Sequence, residues 1–259
     1  MDIYSPLQIR EIFHIEFLRW LGRTVKPENY AIKGGVNLRF FFKSFRYSED
    51  MDIDARSMKV FQLQEAVMKI LNNRAFQDNL KSFGMARIIA PDISKAKQTE
   101  TTQRFKAHLI LSSGEDLFTK IEFSRRGFAG DVITGLVDDG ILRAYKLAPL
   151  LAPHYDCYSA AAQKADALAS RAEVQARDIF DLFVLSSQCF GLRAHAAIDE
   201  ETAQKALERI SEVDFIQFRD TVVSYLSAGD QEAYNNAASW EEVRRKCTAF
   251  IEETRKTRA

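Results

Sequence analysis

The sequence predicts an α+β protein, with a mixed sheet flanked by helices in the N-terminal half and an all-helical C-terminal half. Two observations carry this. Period-2 alternation and hairpin chemistry are confined to the residues before about Gly140, whereas alanine- and leucine-rich stretches with helical spacing fill the rest. The composition, 46% hydrophobic and 28% charged, belongs to a chain able to bury a core rather than to a disordered one.

Taken in order, Ser5-Pro6 supplies a capping hydroxyl and a first-turn proline, and Leu7, Ile9, Ile12, Phe13, Phe17, Leu18 and Leu21 mark an amphipathic helix to about Gly22. Asn29–Lys33 reads as a short strand broken by Gly34-Gly35, and Val36–Phe45 as a helix. Asp50-Met-Asp-Ile-Asp54 alternates acid with apolar, the pattern of a half-buried strand. A helix is predicted over Val60–Leu80, then strands over Arg104–Leu111 and Leu117–Ser124, joined by the turn-forming Ser-Ser-Gly-Glu-Asp. Helices are predicted at 159–188, 199–211, 214–227 and 239–257, the last with a capping box from Ser239 and Glu242. The change of character divides the chain into 1–140 and 141–259.

Charge excludes a generally basic nucleic-acid coat: 36 Lys and Arg balance 36 Asp and Glu. No apolar run is long enough to span a bilayer and the N-terminus lacks signal-peptide features, so neither membrane association nor export is expected. Three cysteines, Cys157, Cys189 and Cys247, are odd in number and widely spaced, which speaks against a disulfide framework and for a reducing, cytoplasmic setting. The four histidines, His14, His108, His154 and His195, have no metal-ligand spacing and read as structural or surface residues.

The residues that carry chemistry are Gly34-Gly35 and, fourteen residues later, Asp50-x-Asp52. A glycine pair between strand and helix lets backbone approach a phosphate, and the helix N-terminus adds amide donors. Two carboxylates on one strand face repel unless a cation lies between them, and hard oxygens suit Mg²⁺ bridged to substrate phosphates. That pairing is what phosphoryl transfer needs. Asp54 lies on the same face, so spacing alone leaves Asp52/Asp54 open as the pair.

Ile32-Lys-Gly-Gly-Val-Asn-Leu-Arg39 followed by Arg46-Tyr-Ser-Glu-Asp-Met-Asp-Ile53 closely resembles the first motif of the AbiEii/AbiGii toxin family, which includes the MenT-type toxins. Its members read as strand, Lys-Gly-Gly, helix, then Arg-Phe-Ser-x-Asp-x-Asp. The resemblance implies a nucleotidyltransferase-like domain over 1–140 and a helical domain over 141–259 that completes the active site. It implies nucleotide binding by Lys33, Gly34, Gly35, Arg46 and Ser48, and metal binding by Asp50 and Asp52. Val36 stands where the family more often has a hydroxyl residue, which removes one phosphate contact. The superfamily adds a carboxylate from a later strand; Glu122 is the best candidate, with Asp116 and Asp131 as weaker rivals in turns.

Gln163–Arg171 and Gln175–Leu182 are similar to the family's later motifs, a lysine helix ending in arginine and an Arg/Lys-Asp-x-x-Asp-Leu helix. The similarity implies that Lys164 neutralises triphosphate charge and binds nucleotide, that Asp178 is an active-site acid, and that Asp181 is its partner on the helix face. In one unbroken helix Lys164 and Asp178 would lie roughly 21 Å apart. For both to serve one NTP the chain must turn between Ser170 and Gln175.

The expected activity is transfer of a nucleoside monophosphate from an NTP to an acceptor, with Asp50, Asp52 and Glu122 holding Mg²⁺ (two ions, or Mn²⁺ in its place). The resemblance implies a toxin with a cognate antitoxin, and RNA, specifically a tRNA 3′ end, as acceptor. Arg125-Arg126, with Lys95, Lys97, Arg104 and Lys106 near in sequence, offers cations to guide RNA. A protein or small-molecule acceptor, and a non-catalytic nucleotide-binding protein, are the alternatives.

Overall fold

A computed structural model describes residues 4–189 and 198–255. His195, one of the histidines read as structural, lies outside these residues. The described chain divides into two compact units. Among the described residues the first comprises 4–36, 47–128 and 132–154, and the second 37–46, 129–131, 155–189 and 198–255.

The first unit is built on a mixed sheet of seven strands, ordered β3-β4-β5-β2-β1-β7-β6. These are β1 (Tyr30–Lys33), β2 (Met51–Ala55), β3 (Met85–Ile89), β4 (Thr102–Leu111), β5 (Asp116–Ser124), β6 (Val132–Leu136) and β7 (Leu151–Tyr155). β1 runs antiparallel to β2 and parallel to β7, β2 is parallel to β5, and β4–β5 is the predicted hairpin. Helices α1 (Pro6–Thr24), α3 (Val60–Leu71) and α4 (Arg74–Lys81) lie against the β4–β5 end of the sheet. Phe13, Phe17, Val67 and Phe76 are buried there with Phe105, Leu109, Ile121 and Phe123. α1 starts as predicted: the Ser5 hydroxyl and the Gln8 side chain cap each other's backbone amides.

Three sequence expectations fail here. Val60–Leu80 is two helices, because Asn72 ends α3 and the Asn73 side chain caps α4 by accepting from the Phe76 amide. β7 lies beyond Gly140, where no strand was expected; Leu-Ala-Pro-His-Tyr does not alternate polar with apolar, four of its five residues being buried, and parallel pairing with β1 recruits it. The cysteines do not stay unpaired, since Cys157 and Cys189 form a disulfide although 32 residues separate them. Chain spacing hid a pair that only packing brings together. Cysteine usage therefore gives no support to a reducing compartment. Among the described residues, no helix is long and apolar enough to cross a membrane.

The second unit is helical: α6 (Cys157–Ser170), α7 (Ala176–Ser186), α8 (Glu200–Arg209), α9 (Phe215–Thr221), α10 (Ala228–Tyr234) and α11 (Ala237–Thr254). α2 (Gly34–Phe41) begins in the first unit and contributes Leu38 to this core, while α5 (Asp139–Ala144) belongs to the first. Trp240 stacks on Phe218 at 4.5 Å between ring centroids, and its indole N–H donates to the Val213 carbonyl. α11 is capped by Asn236, not by the Ser239/Glu242 box, and Glu242 instead pairs with Arg245. The predicted single helix 159–188 is broken at Arg171–Gln175, so the chain does turn between Lys164 and Asp178.

Candidate active site

In the first unit the glycine pair and the acids meet across β1 and β2. Lys33 and Asp52 are cross-strand partners, so Gly34, the first residue of α2, follows directly beside Asp52. Gly34 has φ +66°, and a Cβ there would come within 3.0 Å of Asp52 Oδ2. The positive φ favours glycine, and the absence of a Cβ leaves the Asp52 carboxylate undisturbed. The glycine's role is thus to let a carboxylate and a helix start share one place.

Asp50 lies one residue before β2 rather than within it. One of its carboxylate oxygens accepts from the Lys120 amide at 3.1 Å, and the other is 2.9 Å from Lys120 Nζ. Asp52 is the parallel partner of Glu122, which puts both on one face of the sheet, and Glu122 pairs with Arg104 on β4. Asp54 is buried, with Lys33 Nζ at 2.6 Å. The acid left open by spacing is therefore matched internally, and Lys33 is committed to it. Asp116 pairs with His108 at the hairpin end, and the Asp131 carbonyl and amide bond to Asp156 and Ser159 in the second unit. The Ser48 hydroxyl donates to the Asp50 carbonyl at 2.8 Å, so its proton shapes the turn into β2.

Residues the sequence did not single out fix this turn from behind. Thr119 Oγ1 donates to the Glu49 carbonyl at 2.6 Å, which leaves it to accept from His14 Nε2 at 2.7 Å. His14 is thus neutral with its proton on Nε2. Burial holds its pKa down at about 3, with Arg10 adding to the effect and Asp50 opposing it. Sequence reasoning placed His14 only among structural or surface histidines, and nothing in the chain marked its Thr119 partner 105 residues away.

In the second unit Arg46, Lys164, Arg171, Asp178 and Asp181 form one ion network. Arg46 bonds Asp181 through Nε (3.2 Å) and Nη2 (3.0 and 3.1 Å). Lys164 Nζ lies 2.6 Å from Asp181 and 3.1 Å from Asp178, and Arg171 Nε lies 2.8 Å from Asp178. Both aspartates have no exposed surface. Burial alone would lower the Lys164 pKa, but Asp181 and Asp178 outweigh it and raise it. Burial would likewise raise that of Asp181, but Arg46 and Lys164 outweigh it and lower it. Lys164 and Asp181 are therefore each held in the charged form near neutrality. Arg46, expected to bind nucleotide, here clamps α7.

No group of three or more potential metal ligands is preassembled among the described residues. The donors at Asp50 and Asp52 are hard carboxylate oxygens, and Lys120 and Arg104 beside Asp50 and Glu122 show that positive charge is favoured there.

The comparisons agree with this architecture. JHP933 from Helicobacter pylori superposes with TM-score 0.56 at 18% identity, covering 97% of this chain and 92% of its own. A putative nucleotidyltransferase from H. pylori gives 0.56 at 18% identity, covering 96% and 94%. MenT4, a nucleotidyltransferase toxin from Mycobacterium tuberculosis H37Rv, gives 0.61 at 18% identity, covering 95% and 84%. These show the shared fold. No curated protein matches the chain. The model of the nucleotidyl transferase AbiEii toxin family, of type IV toxin–antitoxin systems, matches residues 17–254, and with the glycine–aspartate centre built on β1, α2 and β2 the chain belongs to that family of nucleotidyltransferase enzymes.

Proposed function

We propose that this toxin transfers a nucleoside monophosphate from an NTP to the 3′ end of an RNA, with tRNA as the acceptor, and is restrained by a cognate antitoxin. The observation that supports it most is the packing of Gly34 against Asp52, which joins a phosphate-accommodating helix start to the strand carrying the acids. The acceptor's terminal hydroxyl attacks the α-phosphorus, the bond to the β-phosphate breaks, and pyrophosphate departs.

Asp50 and Asp52, with Glu122 beside them, would hold Mg²⁺, as two ions or with Mn²⁺ in its place; bound there, it would neutralise phosphate charge and acidify the attacking hydroxyl. The Gly34-Gly35 backbone accommodates the phosphates, and the α2 N-terminus favours their negative charge. Lys120, next to Asp50, supplies a cation that can shift from carboxylate to phosphate. In this reading Asp178 and Asp181 are positioning residues that fix the Lys164 ammonium group and the Arg46 guanidinium within the second unit.

The experiment combines the purified protein, Mg²⁺, each labelled NTP in turn and total tRNA. Label in RNA is the expected result, lost with Asp50→Asn while circular dichroism stays unchanged. Label on protein or on a small molecule would replace RNA as the acceptor. Transfer undiminished by Asp50→Asn would remove the assigned centre.

A further inference from the structure

We propose that the open face of the β3–β4–β5 sheet is the track along which the acceptor RNA lies as a single strand; this rests on the RNA-acceptor reading above. One face of these strands is covered, with Phe105, Ala107, Leu109, Ile121 and Phe123 buried. The other is open, and cross-strand register arranges it in steps leading away from the acids. Glu122 partners Arg104, then Lys120 partners Lys106, then Phe118 partners His108. Each step advances about 7 Å, so Phe118 stands roughly 14 Å along the strand from Glu122. That spans a few nucleotides upstream of a hydroxyl reacting at Asp50 and Asp52.

Phe118 is 57% exposed in the middle of a sheet face, and Ile89, opposite His108, is 40% exposed. A single exposed apolar side chain is ordinary. Phe118 is set beside Lys106 and Lys120 one step toward the acids, with Ile89 and the His108–Asp116 pair on its other sides. Arg87 and Lys106 are exposed on this face and make no ion pair among the described residues. A protein-docking surface concentrates apolar groups and depletes charge at its centre. Alternating cations and an aromatic ring match single-stranded nucleic acid, whose phosphates and base faces need both. The strand backbone here is held from the covered side, where Arg10 Nε donates to the Phe118 carbonyl at 2.9 Å.

The Arg125 cation expected to guide RNA does not belong to this track. Its guanidinium bonds the Met58 carbonyl, the Gln103 side chain and the Glu100 carbonyl, which ties loops together. Of the cations clustered in sequence, register on β4 puts Arg104 and Lys106 on the open face.

The test is fluorescence anisotropy of the full chain with a short, labelled, mixed-sequence single-stranded oligoribonucleotide, without NTP, across a salt series. Phe118→Ala is expected to weaken binding about tenfold, the loss of one stacked base. Lys106→Glu is expected to lower the salt slope by at least about 0.7, the share of one phosphate contact on a single strand. Asp50→Asn should keep binding while abolishing transfer, which separates this track from the catalytic reading. Unchanged RNA binding by both surface variants, each with native circular dichroism, would overturn the track even where transfer to RNA is observed. So would loss of antitoxin binding with RNA binding intact, which would make the face a protein interface. Transfer to a non-RNA acceptor would instead sink the reading on which the track rests.

Discussion

Both units pair lysine with aspartate, and they do so to opposite ends. In the first unit Lys120 meets Asp50 where the side chains are 27% and 39% exposed. In the second, Lys164 meets Asp178 and Asp181, themselves 0% exposed, and is 12% exposed. Water screens the first pair, which contributes about 0–1 kcal/mol and can exchange its partner for a phosphate or a metal ion. The second is out of water, and losing one member strands a buried charge at a cost of about 3–5 kcal/mol. The same two residue types thus make an exchangeable site in one place and a fixed strut in the other.

The largest effect expected from this contrast is on the strut. Asp181→Ala leaves Lys164 and Arg46 short of a buried partner and should destabilise the protein by about 3–5 kcal/mol in urea unfolding. A loss below about 1 kcal/mol would mean the network is as exchangeable as the exposed pair. Next comes the disulfide at the ends of α6 and α7, the helices that carry Lys164 and both aspartates. Its reduction should lower stability by about 2–4 kcal/mol. Cys247 is buried, with its thiol pKa pushed up by burial, so the folded, unreduced protein should show no reactive thiol and the denatured, unreduced protein one. Three thiols on denaturation would refute the pairing.

His14 gives an intermediate effect. Its folded pKa is about 3 against 6.5 unfolded, so between these values the unfolded chain binds the proton and the native one does not. Stability falls as pH drops through that window, by roughly 2 kcal/mol at pH 5. His14→Gln should flatten that slope in pH-dependent urea melts, although other carboxylates contribute below pH 4. Asp181, lowered by its cations, adds stability that is present above its unfolded pKa and lost only as pH falls through the lower folded value. The smallest effect belongs to Lys120→Ala, which should change stability by less than about 1 kcal/mol while raising KM for the NTP. A larger loss of stability than of affinity would make Lys120 a strut as well.

The hairpin, α1 and the Gly34/Asp52 centre were legible because each rests on local rules: turn chemistry, capping, and the period of a strand. Asp50 and Asp52 lie close in sequence, so a motif could hold them. The disulfide, β7 and the His14–Thr119 contact had no such signature, since each joins residues that chain spacing keeps apart. Asp54 shows the boundary most clearly. Alternation made it equal to Asp52, the motif resemblance favoured Asp52, and in the fold Asp54 is the one buried against Lys33.

By itself, then, the sequence determined the fold class, the strand that carries the acids and the glycine that must adjoin it, because period and backbone freedom are properties of neighbouring residues. The tertiary structure alone decided which acids face cations in water and which are locked out of it. It also decided which cations line an open sheet face. Burial and register are set by residues far along the chain, and those are what fix the energy of a charge.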